Sequence, residues 1–198
     1  MAKTRLFAAI FPILMSALLL LGLCSVTGLN FDVPLAADAD AQTASTSASS
    51  TPSNTFEIDG QIGSLILGMA PNTKTIDMTK VPKFILSGDW NMDVDQGKLT
   101  DFAATFYTGP VNGAENHTHQ LSNFRVSGNT PIQLSPDKSV SVSGLVDVGT
   151  NGNSAWDNVN ATVDVSKGRS ITISLADEDT ERHFMGQQIY GIVQGLKL

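Results

Sequence analysis

Apolar and polar side chains alternate singly along most of the chain after residue 55, and this period of two constrains the fold most. Leu86, Trp90, Met92 and Val94 fall on one face of an extended segment whose other face is polar. Because successive side chains of a strand point to opposite faces, the pattern predicts a sheet with one buried face. The same alternation recurs in Phe102, Ala104 and Phe106, in Val140, Val142, Val146 and Val148, in Val159, Ala161, Val163 and Val165, and in Ile171, Ile173 and Leu175.

Turn-forming residues separate these alternating segments. Asn151-Gly152 follows the segment that ends at Val148, and an Asn-Gly pair between two strands is a strong hairpin signal. Residues 95–98 and 166–169 have the Gly and polar residues of tight turns. No convincing apolar stripe of an amphipathic helix occurs after residue 55. The prediction is an all-β domain, either an antiparallel β-sandwich or a barrel, of about eight or nine strands.

The first 37 residues have the pattern of an export segment. Lys3 and Arg5 precede an uncharged stretch that runs to Phe31 and is most apolar at residues 18–21. A basic start followed by an apolar stretch is typical of a signal peptide, and this stretch is also long enough for a membrane anchor. We expect an apolar helix here, either a signal peptide that is cleaved or an anchor that attaches the protein to the membrane.

Residues 38–54 are rich in Ala, Ser and Thr and contain hardly any large apolar side chain. Such a composition buries too little surface to offset the entropy of ordering the chain, which predicts a disordered linker. Residues 55–198 remain as one domain, long enough to bury a hydrophobic core. The predicted order is export segment 1–37, linker 38–54 and extracytoplasmic β domain 55–198. The protein is expected to be exported, and either secreted or anchored at the cell surface.

The charge of the exported part excludes one class of partner. Without Lys3 and Arg5, 10 basic residues stand against 19 acidic ones, so the net charge is −9. Phosphate backbones repel such a surface, and no nucleic acid partner is predicted. The one cysteine, Cys24, precedes the domain, so the domain has no disulfide and no thiolate ligand. Nothing in the sequence indicates which proteins the domain binds.

Three histidines carry the strongest chemical signal. His117 and His119 are two residues apart, so their side chains point to the same face of a strand. His183 lies in a second polar segment and could reach the same ion from a neighbouring element. Because imidazole is a common ligand of Cu and Zn, these three histidines are a candidate Cu or Zn site. The alternative is two surface histidines on an edge strand and a third in a loop, with no metal bound. Glu115 shares their face and is a candidate fourth ligand or orienting group.

The apolar pattern changes sides near Ser122. The face that begins with the two histidines continues with Leu121, whereas the next apolar residues, Phe124 and Val126, lie on the other face. This change predicts a β-bulge, or a strand whose histidine end projects beyond the core. Either arrangement is expected to leave the imidazoles accessible.

Sequence motifs of catalysis are missing. The chain has no Gly-x-Ser-x-Gly, no phosphate-binding glycine loop and no cysteine nucleophile in the domain. No catalytic residues are predicted. The sequence favours a protein that is not an enzyme.

Four segments of the domain resemble a set found in exported β-rich domains of ammonia-oxidising archaea. They are Ser87-Gly-Asp-Trp90, Asn116-His-Thr-His-Gln-Leu-Ser-Asn-Phe124, Asp147-Val-Gly-Thr-Asn-Gly-Asn-Ser-Ala-Trp156 and His183-Phe-Met-Gly-Gln-Gln-Ile-Tyr-Gly191. The resemblance covers nearly the whole domain. It implies an extracytoplasmic place in a copper-rich physiology and implies no activity.

The sequence is compatible with three functions. The first hypothesis is a non-catalytic structural or envelope-associated scaffold, because this function needs no particular site or motif in the sequence. The alternative is a transition-metal binding module that uses the three-histidine site. The third is a metal-dependent enzyme in which water occupies the remaining position of the ion.

Overall fold

The computed structural model of the chain describes residues 51–69, 77–111 and 116–198. Within these ranges the backbone forms eight strands. Their bounds are β1 (Phe56–Leu67), β2 (Lys83–Asp95), β3 (Lys98–Pro110), β4 (His117–Val126), β5 (Val140–Thr150), β6 (Asn153–Ser166), β7 (Ser170–Leu175) and β8 (Ile189–Lys197). Each strand pairs antiparallel with its neighbours in the sequence.

β8 also pairs antiparallel with β1, so the sheet closes into a barrel with the strands in chain order. The prediction of an all-β antiparallel domain is confirmed. Of the two architectures that the sequence allowed, the chain forms the barrel, with eight strands. Closure gives every strand a hydrogen-bonded neighbour on both sides and removes the exposed edges of an open sheet.

The predicted N-terminal apolar helix and most of the predicted linker lie outside the described residues. Ser53, within the predicted linker, forms a bridge with Leu134 in which each backbone N–H donates to the other carbonyl, at 3.1 and 2.8 Å. The contacts of the barrel therefore begin before the boundary predicted at residue 55. No helix within the described ranges is long and apolar enough to cross a membrane.

The alternating apolar side chains fill the barrel interior, as predicted. Trp90 is 3% exposed, and its indole N–H donates to the carbonyl oxygen of Ile192 on β8 at 3.2 Å. Met92, Phe106, Val146, Val163 and Ile173 are among the other buried interior residues. Leu175, at the end of β7, is only partly buried. One face of each strand thus builds a single core that reaches around the whole barrel.

The turn predicted at Asn151-Gly152 joins β5 to β6 as a two-residue hairpin. Asn151 has a φ of 52° and Gly152 a φ of 77°. Two positive φ values are the signature of a type I′ turn, whose twist matches that of antiparallel strands. The hairpin prediction is confirmed.

The connections after β1, β3, β5 and β7 all lie at the same end of the barrel, because the strands alternate in direction. Two of the histidines are near this end, at the start of β4. The third lies in the connection between β7 and β8, residues 176–188. Barrel topology therefore brings all three histidines to one end, which no local pattern in the sequence requires.

The seam between β1 and β8 depends on glycines that let the two backbones approach closely. A Cβ atom added at Gly60 would collide with the carbonyl oxygen of Ile192, and one added at Gly191 would collide with the carbonyl oxygen of Gln61. A Cβ added at Gly63, on the outer face of β1, would meet nothing within 4 Å. Closure thus leaves no space for a side chain at the first two positions.

We expect Gly60→Ala to lower the free energy of unfolding by about 1–3 kcal/mol or more, because the new methyl group must push β8 away from β1. Gly63→Ala is the matched control on the same strand. Its effect should be within about 1 kcal/mol of zero, because the methyl group points into open space. Urea unfolding followed by circular dichroism measures both. Equal effects of the two substitutions would contradict this account of the seam.

Candidate metal centre

His117 and His119 project into the barrel from the first residues of β4. Their partners in β3 are Thr108 and Phe106, and Thr150 of β5 is opposite His119. The two histidines continue the inward face of Leu121, as the spacing predicts. The inward positions at the start of β4 are therefore occupied by imidazole side chains instead of aliphatic ones.

The predicted bulge is present after the histidines. The β4–β5 register shifts between Ser122 and Arg125, and Asn123 has a φ of 57°. Arg125 donates to the Asp147 carboxylate of β5 at 2.6 Å, and this carboxylate also accepts from the Asn123 side-chain amide at 2.7 Å. These bonds hold the strand on both sides of the irregularity, so the direction of the histidines is set independently of Phe124 and Val126.

The accompanying expectation that the imidazoles are accessible is wrong for one of them. His119 is 0% exposed, whereas His117 is half-buried and His183 is exposed. The bulge follows His119 in the sequence, so that residue keeps its inward direction. Phe184, from the connection between β7 and β8, then covers it at a ring-centroid distance of 5.1 Å.

Residues 176–188 form a folded cap that carries His183. Gln187 reproduces a strand pairing with the end of β1: its side-chain carbonyl accepts from Leu67 N–H at 3.0 Å and its amide donates to the Leu67 carbonyl at 2.6 Å. The Asp179 carboxylate accepts from the backbone and side-chain amides of Asn160 on β6, at 2.9 and 2.8 Å. The cap is thereby fastened to opposite sides of the barrel end.

The backbone of this cap is strained around the histidine. Glu181, Arg182 and Met185 have φ values of 51°, 63° and 55°, a region that favours glycine. Each such residue costs of order 1–3 kcal/mol and persists where the surroundings impose it, commonly at functional sites. Residues 176–188 thus hold His183 in place by a conformation that its own sequence does not prefer.

The three imidazoles converge at their Nε2 atoms. His183 Nε2 lies 3.1 Å from His119 Nε2 and 3.3 Å from His117 Nε2. One ligand atom from each residue can be chosen so that all lie within 4.8 Å of one another. Two nitrogens bound at about 2.0–2.1 Å to one tetrahedral ion would be roughly 3.3 Å apart. These two Nε2–Nε2 distances match those of ligands around a single small ion, and His183 lies close to the other two histidines at this end of the barrel.

The other ring nitrogen of His119 is held by β5. Its Nδ1 lies 3.1 Å from Thr150 Oγ1 and 3.4 Å from the Gly149 carbonyl oxygen. A carbonyl can only accept, so Nδ1 carries the proton in this contact and Nε2 presents its lone pair to the other histidines. A histidine that ligates through one nitrogen and donates from the other to a carbonyl is the usual arrangement at metal sites.

The electrostatics of the cluster favour uncharged imidazoles. Burial, together with the nearby His183 and His117, lowers the pKa of His119 to about 4. His183 keeps part of its side chain exposed, but the protein around it desolvates the ring, and this desolvation together with the neighbouring His117 also lowers the pKa of His183. Both rings are consequently neutral at pH 7, the protonation state that binds a metal ion.

An aromatic wall surrounds the cluster, and sequence reasoning missed its part in the site. Trp156 lies 5.1 Å from the His183 ring and 6.4 Å from the His119 ring. Phe106 and Phe184 enclose His119 from other sides, at 5.5 and 5.1 Å. No sequence pattern links these aromatic residues to the histidines, because the contacts arise from pairing across strands and from the cap.

Glu115, the predicted fourth ligand or orienting group, lies outside the described residues. Within the described part of the chain, the group that could hold an ion consists of the three histidines. Three imidazoles leave a tetrahedral ion one further position, which in proteins is filled by water or by another small ligand.

The comparisons with known proteins add no relative: no family model, no curated protein and no solved structure matches this chain. The chemistry of the site must therefore be argued from its own residues.

The lowered pKa of His119 predicts that the metal-free protein loses stability in mild acid. Between about pH 6.5 and pH 4 the unfolded chain binds a proton at this residue and the folded chain does not, so acidification favours unfolding. We expect the free energy of unfolding to fall by about 2–3 kcal/mol between pH 7 and pH 4.5, in urea titrations of chelator-treated protein. His183 contributes in the same direction.

The control for this prediction is His119→Gln, which keeps a neutral polar side chain and removes the titration. Its free energy of unfolding should change markedly less over the same pH range. The carboxylates with lowered pKa, such as Asp179, lose their contribution mainly at lower pH and are common to both proteins. Parallel pH curves for the two proteins would show that His119 is not the titrating group.

Proposed function

We propose that the domain is an extracytoplasmic transition-metal binding module whose ligands are His117, His119 and His183. The observation that carries the proposal is the pair of Nε2–Nε2 distances, 3.1 and 3.3 Å, between side chains from β4 and from the cap. Ring nitrogens at these spacings can share either a proton or a metal ion, and the unprotonated nitrogen of a neutral imidazole is a metal ligand. A chance cluster of surface histidines would not need a buried, uncharged member.

The donor set favours Cu(II) or Zn(II). Neutral imidazole binds these borderline ions well, whereas Ca²⁺ and Mg²⁺ require oxygen ligands. A blue-copper centre is excluded because it needs a thiolate and the one cysteine of the chain is Cys24. His117 and His183 also line a pocket, from which a further ligand could reach an ion held by the histidines.

Export and anchoring belong to the same proposal. The basic and apolar N-terminal segment supports delivery across a membrane, followed by secretion or by retention at the cell surface. The resemblance to exported domains of ammonia-oxidising archaea fits a module that binds copper outside the cytoplasm. A structural or envelope-associated scaffold is the second candidate, because the closed barrel has a continuous hydrophobic core built from every strand.

The direct test is metal binding by the purified protein. We expect one Zn(II) or Cu(II) per chain by elemental analysis, and each of His117→Ala, His119→Gln and His183→Ala should weaken binding by roughly a hundredfold or more. Each histidine supplies one of three or four bonds, and a structural zinc site contributes about 10–16 kcal/mol in all.

Gln120→Ala is the matched control, because Gln120 lies beside the ligands on the exposed, opposite face of β4. It should bind metal like the original protein. Circular dichroism establishes that each variant is folded. A folded original protein that takes up neither ion would overturn the metal proposal and leave the scaffold.

A second test concerns the group that orients His119. Thr150→Val keeps the shape of the side chain but removes the hydroxyl next to His119 Nδ1. We expect about a 10-fold or greater loss of metal affinity, since partners of a ligating histidine contribute roughly that much. Thr172→Val on β7 makes the same change far from the site and should have no effect on affinity. An unchanged affinity in Thr150→Val would remove Thr150 from the orienting role.

A further inference from the structure

The pocket next to the histidines has a composition that a metal site alone does not require. Its volume is about 420 Å³, and His117 and His183 form part of its wall. The rest of the wall is largely apolar, from Ile66, Phe84, Leu86 and Phe184. Apolar walls with a few polar groups at one place are typical of sites for small organic molecules. The histidines provide that polar place.

A buried hydroxyl in the same wall has no hydrogen-bond partner among the described residues. Thr108 is 6% exposed, lines the pocket and is paired across β3 and β4 with His117. Ser64 is also buried, and its hydroxyl has no hydrogen-bond partner among those residues. It points into the barrel in the same row of paired residues, opposite Leu86. A buried hydroxyl without a hydrogen-bond partner lowers the stability of the protein. When it lines a pocket, it indicates that a water or a polar group of a ligand binds next to it.

The charges near the histidines determine which charge the polar group of a ligand should carry. Glu181 and Arg182 both line the pocket and both are exposed, so their opposite charges largely offset each other. A divalent ion held by three neutral imidazoles keeps its whole double charge, which makes it the largest local charge. An anionic oxygen donor is therefore favoured at the remaining position of the ion.

The volume of the pocket limits the size of the apolar part of a bound ligand. A cavity of about 150 Å³ holds a benzene molecule, and this pocket has nearly three times that volume. A chain of about eight carbons, or one aromatic ring with substituents, would fill it. Such a ligand would bury its body against the apolar wall and keep its charged end at the histidines.

We propose that this pocket binds a small monocarboxylate with an apolar body, whose carboxylate occupies the remaining position of the metal ion and accepts a hydrogen bond from Thr108. The inference rests on the proposed metal-binding function and names the class of ligand that the site takes. Medium-chain fatty acids and aromatic acids share this chemistry. Binding involves no covalent change in the ligand.

Octanoate, benzoate, octanol and acetate are the probes, added to the purified protein loaded with Cu(II) or Co(II). Octanoate should bind and shift the visible absorption of the metal. Acetate lacks the apolar body and should bind at least a hundredfold more weakly, since each buried methylene contributes about fourfold. Octanol lacks the carboxylate and should bind at least 10-fold more weakly without the spectral shift. If benzoate binds more tightly than octanoate, the preferred ligands are aromatic acids and not fatty acids.

Thr108→Val tests the hydroxyl without changing the shape of the pocket. It should weaken octanoate binding about 3- to 30-fold and leave the affinity for the metal unchanged. Thr105→Val, on the outer face of the same strand, is the control and should change neither affinity.

The outcomes separate this inference from the function on which it rests. Protein that binds no metal would overturn the proposed function. Protein that binds metal, but whose spectrum and binding heat do not respond to octanoate, would overturn the ligand inference alone. Equal binding of octanoate to metal-loaded and metal-free protein would also overturn it, because the carboxylate would then not be at the ion.

Discussion

Pairing of β1 with β8 closes the sheet, and the positions of the three clustered histidines depend on this closure. The two strands are separated by nearly the whole domain, yet they come close enough that neither Gly60 nor Gly191 has space for a Cβ atom. Trp90 adds a hydrogen bond from the interior to the Ile192 carbonyl at the same seam. Once the ring of eight strands is complete, every inward side chain faces a shared axis instead of a second sheet.

That shared axis explains how a site can form from residues distant in the sequence. His117 and His183 are 66 residues apart, but both belong to the end of the barrel at which odd-numbered strands finish and even-numbered strands begin. An eight-stranded barrel has an interior just wide enough to be filled by side chains or to hold one small ligand. In this barrel apolar side chains fill the rest of the interior, and a pocket remains at the end that contains the histidines.

The same end of the barrel concentrates features that reduce stability. It contains a wholly buried histidine, the hydroxyls of Thr108 and Ser64, which have no hydrogen-bond partner among the described residues, and the left-handed backbone of the cap. A domain that only had to be stable would replace these features by aliphatic side chains and glycines. Their common location supports a binding role, because a bound ion and a polar ligand would satisfy the groups that the protein leaves unsatisfied.

Sequence by itself determined the features that depend on near neighbours: the strands, the Asn151-Gly152 hairpin, the shared face of His117 and His119, and the change of the apolar face near Ser122. These follow from the period of two and from backbone preferences, which act over a few residues. Only the tertiary structure decided that the sheet closes into a barrel, that His119 is buried beneath Phe184, that Trp156 belongs to the site and that His183 meets the other two. Each of these depends on which strands and loops become neighbours in space, and alternation is the same on the inner face of a sandwich and of a barrel.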